Sequence, residues 1–170
     1  MNKFVMINLN IFIVLTFVIY SVFAMVDDVV IEPKSSGGKT VALMYAPGCG
    51  IGPEAYVPLA NAIQSAMTPE YDLWVGIPAL PLNVTTLGLK KAFNRVAEEL
   101  TKAGLPSNHE TLYGGHSLGG AVVPMLVAEP EKLPEGFDQP KGMVLMGAFL
   151  TRSFKTDAVP EVGPGQYLFD

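Results

Sequence analysis

The sequence predicts an α/β fold: a parallel sheet with flanking helices. Three observations carry that prediction. Short apolar runs of strand length alternate with longer stretches whose apolar residues recur at helical spacing. The first of these runs is apolar throughout, as a strand covered on both faces must be. Proline and glycine punctuate the joints between the two kinds of segment. Alternation of this sort implies parallel neighbours joined by right-handed crossovers.

Each element follows from its residues. Val41-Ala42-Leu43-Met44-Tyr45 is the first strand. Pro53 to Met67 is a helix, with Tyr56, Leu59, Ala60, Ile63 and Met67 on one face and Pro58 tolerated in the first turn. Leu73-Trp74-Val75-Gly76-Ile77 is the second strand. Leu89, Phe93, Val96 and Leu100 mark a second amphipathic helix, stopped by Gly104 and Pro106. Thr111-Leu112-Tyr113 is the third strand and runs straight into Gly114-Gly115-His116-Ser117. Leu118 to Ala128 is a third helix, apolar nearly all round and therefore buried. Pro124 inside it should kink it, at a cost of about 3 kcal/mol if uncompensated. Met143-Val144-Leu145-Met146 is the fourth strand. Trp74, Tyr71 and Phe93 are large enough to line a site, but core packing is their commoner use.

The 170 residues are 49% apolar and 16% charged, which suits one packed core and excludes a disordered chain. The net charge of −5, with no basic cluster, excludes nucleic acid as a partner. Cys49 is the only cysteine, so no intrachain disulfide supports the fold.

The N-terminus has its own logic. Lys3 precedes an apolar run from Phe4 to Phe23, and Val22 and Ala24 provide modest residues before a cut. That pattern predicts a signal peptide over 1–24 and a secreted, extracellular chain. The alternative is an uncleaved membrane anchor, which Asn8 and Asn10 weaken. Residues 25–40 then read as an N-terminal linker, and 41–170 as the domain.

Gly115-His116-Ser117-Leu118-Gly119 carries the chemistry. A G-x-S-x-G match is weak alone. Here it follows an apolar strand and opens a helix, the context a nucleophile elbow requires. Side chains at Gly115 and Gly119 would collide across so tight a turn. The competing reading is a glycine-rich β–α turn with a serine N-cap. A second loop, Pro47-Gly48-Cys49-Gly50-Ile51-Gly52, follows the first strand. In an acyl-transfer site of this type one oxyanion donor is the N–H after the nucleophile, here Leu118. The other comes from the loop after an earlier strand, and the N–H of Cys49 is placed for that. No Gly-Lys-Ser/Thr follows, which argues against a phosphate loop. Neither a cofactor nor a metal is expected. Asn83-Val84-Thr85 is a sequon, making Asn83 a candidate glycosylation site in an exported chain.

From Val41 to Leu150 the chain resembles the α/β-hydrolase superfamily, with the plan shared by chlorophyllase-like and dienelactone-hydrolase-like proteins. The resemblance rests on Pro47-Gly48, on Pro53-Glu54-Ala55-Tyr56-Val57-Pro58-Leu59-Ala60, on Pro81-Leu82-Asn83 and on Gly114 to Ala121, in that order. It implies a serine hydrolase acting on a small acyl or ester substrate. It also implies Ser117 as nucleophile and the N–H groups of Cys49 and Leu118 as oxyanion donors. Measured against that plan, the chain is expected to hold the N-terminal portion of an α/β-hydrolase fold, ending after the strand that follows the nucleophile helix. The superfamily orders its triad Ser, Asp or Glu, then His. Both histidines here, His109 and His116, precede Ser117. His109 should lie at the far end of the sheet, and His116 should face away from the Ser117 hydroxyl. Asp157 and Asp170 have no histidine to orient. Two functions therefore follow: a secreted serine esterase-like hydrolase, or a non-catalytic secreted protein that keeps the scaffold for binding or structure. An open sheet edge with apolar surface would favour self-association.

Overall fold

A computed structural model of the protein describes residues 27–67, 69–86 and 88–148. The apolar run Phe4–Phe23, Asp157 and Asp170 lie outside the described residues. Five strands form one mixed sheet: β1 (Val29–Ile31), β2 (Lys39–Ala46), β3 (Tyr71–Ile77), β4 (Glu110–His116) and β5 (Pro140–Met146). Their spatial order is β1-β3-β2-β4-β5. The four strands expected from sequence pair parallel to one another, and β1 joins β3 antiparallel. Three α-helices flank the sheet: α1 (Val57–Met67), α2 (Leu89–Ala103) and α3 (Leu118–Val127).

The two-residue period of a strand sends alternate side chains to opposite faces, and both faces are apolar. Ala42, Met44, Ala46, Trp74 and Tyr113 join Phe93, Val96 and Leu100 of α2 and Val123 and Val127 of α3 in one cluster. Val41, Leu43, Tyr45, Leu73, Val75 and Ile77 face α1 on the other side. This explains why β2 is apolar at consecutive positions. Trp74 and Phe93 are core residues, at 8% and 0% exposure.

Several elements differ in detail from the sequence expectation. Residues 25–40 are not merely a linker, because β1 lies within them. Asp28 holds that segment down: its carboxylate accepts from the Ala79 N–H at 2.7 Å and from Arg95 Nη2 at 2.7 Å. Gln64 of α1 ties the same segment to β3, donating to Glu32 O and Leu73 O, each at 2.8 Å. Three residues are too short for an amphipathic signal, so β1 was not legible. The helix expected from Pro53 begins as a 3₁₀ turn over Pro53–Tyr56 and becomes α-helical at Val57. Helix α2 ends as expected at Gly104, which adopts φ +106°. Helix α3 runs through Pro124, whose ring is buried, and Met125 is half exposed. Among the described residues no helix is long and apolar enough to cross a membrane.

The Asp28 clamp yields a test. Asp28→Ala leaves the Ala79 N–H and the Arg95 guanidinium without this partner, and it should lower the unfolding free energy by about 1–3 kcal/mol. Urea denaturation measures it, and an unchanged midpoint would mean that the Asp28 clamp contributes nothing to the fold.

Candidate active site

The strand order locates the site before any motif does. From β2 the chain moves to β3 on one side, and from β3 it crosses to β4 on the other. The winding therefore reverses at the β2–β4 boundary, the kind of switch point at whose carboxyl strand ends open α/β sheets bind ligands. The loop after β2 carries Cys49, and the turn after β4 carries Ser117. Ala46 pairs in register with Gly115, so the two segments leave the sheet side by side.

Ser117 is exposed and joins β4 directly to α3. Its backbone sits at φ 52°, ψ −120°, a region that L-residues rarely adopt. Such strain persists only where the surroundings over-determine it, and here they do. The Ser117 N–H donates to Met146 O of β5 at 2.9 Å. A Cβ on Gly115 would lie 2.6 Å from the Gly119 carbonyl carbon and the Gly120 nitrogen. A Cβ on Gly119 would strike Ala46 O and come within 2.5 Å of Pro47 O. The turn therefore closes on itself at Gly115 and packs against the neighbouring loop at Gly119. An ordinary N-capping serine has extended backbone and bonds the helix with its hydroxyl. Ser117 does neither.

The loop after β2 is held at three points. Thr85, fully buried, donates its hydroxyl to Pro47 O at 2.8 Å. The Gly48 N–H donates to the Tyr56 hydroxyl at 2.8 Å. The Gly50 N–H donates to Asn83 O at 2.8 Å. The Ile51 N–H turns back to Gly48 O at 3.3 Å. Of the four N–H groups from Gly48 to Ile51, that of Cys49 alone has no partner among the described residues. The N–H of Leu118, first in α3, has no carbonyl of its own helix to bond.

The histidines lie as expected from sequence order. His109 precedes β4, at the end of the sheet away from Ser117; it bonds Pro106 O through Nδ1 at 2.8 Å and packs on Phe137. His116 adjoins Ser117, but its Nδ1 lies 3.0 Å from the Tyr56 hydroxyl. Among the described residues neither histidine bonds Ser117. Tyr45 packs 5.4 Å from Tyr56 and donates to Met146 Sδ at 3.3 Å. Burial, with a lesser contribution from neighbouring Tyr56, pushes its hydroxyl pKa well up, so Tyr45 stays protonated and is no base.

Sequence reasoning missed the loop's supports. Tyr56 reads as one more apolar residue of a helical face, although its hydroxyl partner is 60 positions away. Thr85 reads as the end of a sequon, although its hydroxyl is engaged inside the protein. Leu82 and Asn83 adopt φ 52° and 53°, and Leu82 is 68% exposed. No periodicity announces any of these.

No family model and no curated protein matches the chain. Among solved structures, a lipase in its open form is similar, with a TM-score of 0.46 and 16% identity. The match covers 69% of this chain and 38% of the lipase, so the chain spans well under half the length of that protein. The described residues form a five-stranded mixed α/β sheet with flanking helices.

The elbow strain can be measured without any activity. Ser117→Gly removes a left-handed conformation that costs roughly 1–3 kcal/mol, offset by the 0.5–1 kcal/mol entropic penalty of glycine. It should therefore raise the unfolding free energy by up to about 2.5 kcal/mol, whereas Ser117→Ala should not. Equal stabilities for the two variants would mean an unstrained turn.

Proposed function

We propose that this chain is an exported serine hydrolase-like protein whose Ser117 attacks the carbonyl of a small acyl or ester substrate. The observation that supports the reading is the strained, exposed Ser117 between β4 and α3, where Gly119 packs against the loop after β2 whose Cys49 N–H has no partner among the described residues. Attack would place negative charge on the carbonyl oxygen. The N–H groups of Cys49 and Leu118 are the donors for that charge, supported by the positive end of the α3 dipole. The thiol of Cys49 has no part in this, because the donor is its backbone. Export rests on residues 1–24, and glycosylation of Asn83 on the sequon. Self-association rests on β5, whose Met143–Met146 are apolar and half-buried and which lies last in the sheet among the described residues.

A specific observation favours a second reading, a scaffold kept for binding. The described residues bring no base to Ser117, and a protonated hydroxyl attacks slowly. A fluorophosphonate probe separates the two. A hydrolase should be labelled at Ser117, with Ser117→Ala blank. A rate that climbs steadily with pH means hydroxide does the work of the base, and an inflection near neutrality means a histidine supplies it. Labelling that does not depend on Ser117 would leave the binding scaffold as the reading.

The oxyanion donors have their own test. Cys49→Pro deletes the N–H and should slow Ser117 labelling by about 10²–10³-fold, the usual effect of losing one such donor. Cys49→Ala keeps the N–H and should label at the wild-type rate. Similar rates for Cys49→Pro and Cys49→Ala would remove Cys49 from the site.

A further inference from the structure

Tyr56 lies under the site, at 7% exposure, and its hydroxyl bridges two backbone segments. On one side it accepts from the Gly48 N–H at 2.8 Å. On the other it meets His116 Nδ1 at 3.0 Å. A phenol carries a single proton, and an amide N–H can only donate. The Gly48 contact therefore uses a lone pair of the phenol and leaves its proton available to His116 Nδ1. With the phenol donating there, Nδ1 is the acceptor and the imidazole N–H is on Nε2. The Nε2 edge turns toward Gly147, where a Cβ would lie 3.5 Å from it.

The positions of the two bridged residues give the arrangement its meaning. Gly48 immediately precedes Cys49, and His116 immediately precedes Ser117. A single hydroxyl thus ties the residue before one oxyanion donor to the residue before the nucleophile, whose other neighbour, Leu118, is the second donor. The approach is close: a Cβ on Gly48 would lie 2.8 Å from His116 Nδ1 and 3.2 Å from the Tyr56 oxygen. We propose that Tyr56 is a positioning residue: through Gly48 and His116 it sets the spacing between the Cys49 and Leu118 N–H groups. It touches no substrate. This rests on the oxyanion reading above, and it assigns His116 a structural duty instead of that of a base.

Tyr56→Phe removes the oxygen and keeps the ring in the core. For the wild-type chain, nitrogen NMR of labelled histidine should show His116 as the Nε2–H tautomer. In Tyr56→Phe that preference should be lost, and the amide of Gly48 should exchange faster. The maximal rate of fluorophosphonate labelling should fall about 10²-fold, as a misplacement near 1 Å does, with the half-saturating probe concentration little changed. Gly48→Ala keeps the Tyr56 side chain but crowds both the imidazole and the phenol oxygen, and it should give the same split, which covers the case that Tyr56→Phe does not fold. A His116 proton on Nδ1 in the wild type would overturn the proposal. So would unchanged Gly48 exchange in Tyr56→Phe, or a labelling rate equal to wild type. If the wild type is not labelled at Ser117 at all, the hydrolase reading fails, and the tautomer and exchange measurements still decide whether Tyr56 holds the two segments together.

Discussion

The parallel pairing of β2 with β4 is the constraint on which the rest depends. These strands do not follow one another in sequence; β3 and α2 come between them. Their register sets Ala46 beside Gly115, and adjacent strands lie only about 5 Å apart. Whatever follows Ala46 must therefore pass within contact of whatever follows Gly115. Gly119 has no side chain because the carbonyls of Ala46 and Pro47 occupy that space. Move the register by one residue and the two loops would no longer meet.

The loop after β2 also illustrates how a backbone group becomes available. Cys49 is exposed, so what sets its amide apart is that the groups on either side of it are bonded within the protein. Pro47, Gly48, Gly50 and Ile51 each have a backbone group bonded within the protein. Cys49 stands between bonded neighbours, and among the described residues its N–H has no partner. In the proposed oxyanion role, fixing both flanks would remove the reorganisation that a flexible loop needs on meeting a developing charge. The anchors come from the end of the 3₁₀ turn at Tyr56 and from the 83–85 segment after β3, so the loop is braced by two separate parts of the chain.

Strain at Ser117 and packing beneath it are two sides of one arrangement. Its amide is fixed by β5, its preceding strand by β2 and β5, and its helix by the apolar cluster around Val123 and Val127. The turn has no room to relax, so the serine side chain projects outward. The same packing commits His116 to Tyr56 and keeps it from the hydroxyl of the next residue. A titratable group adjacent in sequence is thus remote in function.

Much of this was legible in the sequence. The uniformly apolar run Val41–Tyr45 of β2 required a sheet covered on both faces, because neither face of it could be left to solvent. The spacing of Leu89, Phe93, Val96 and Leu100 required α2 and its buried face. Gly115 and Gly119 around Ser117, between a strand and a helix, required a tight turn. These are local properties, set by period and steric volume within a few residues. Only the tertiary structure decided the rest. The antiparallel β1 depends on Asp28 meeting Ala79 and Arg95, far along the chain. The link from Tyr56 to Gly48 and His116, and that from Thr85 to Pro47, depend on the strand order bringing distant residues together. Hydrogen-bond partners chosen across 38 or 60 positions leave no periodic trace. They follow from where the sheet places each residue, and that is fixed only when the whole chain has packed.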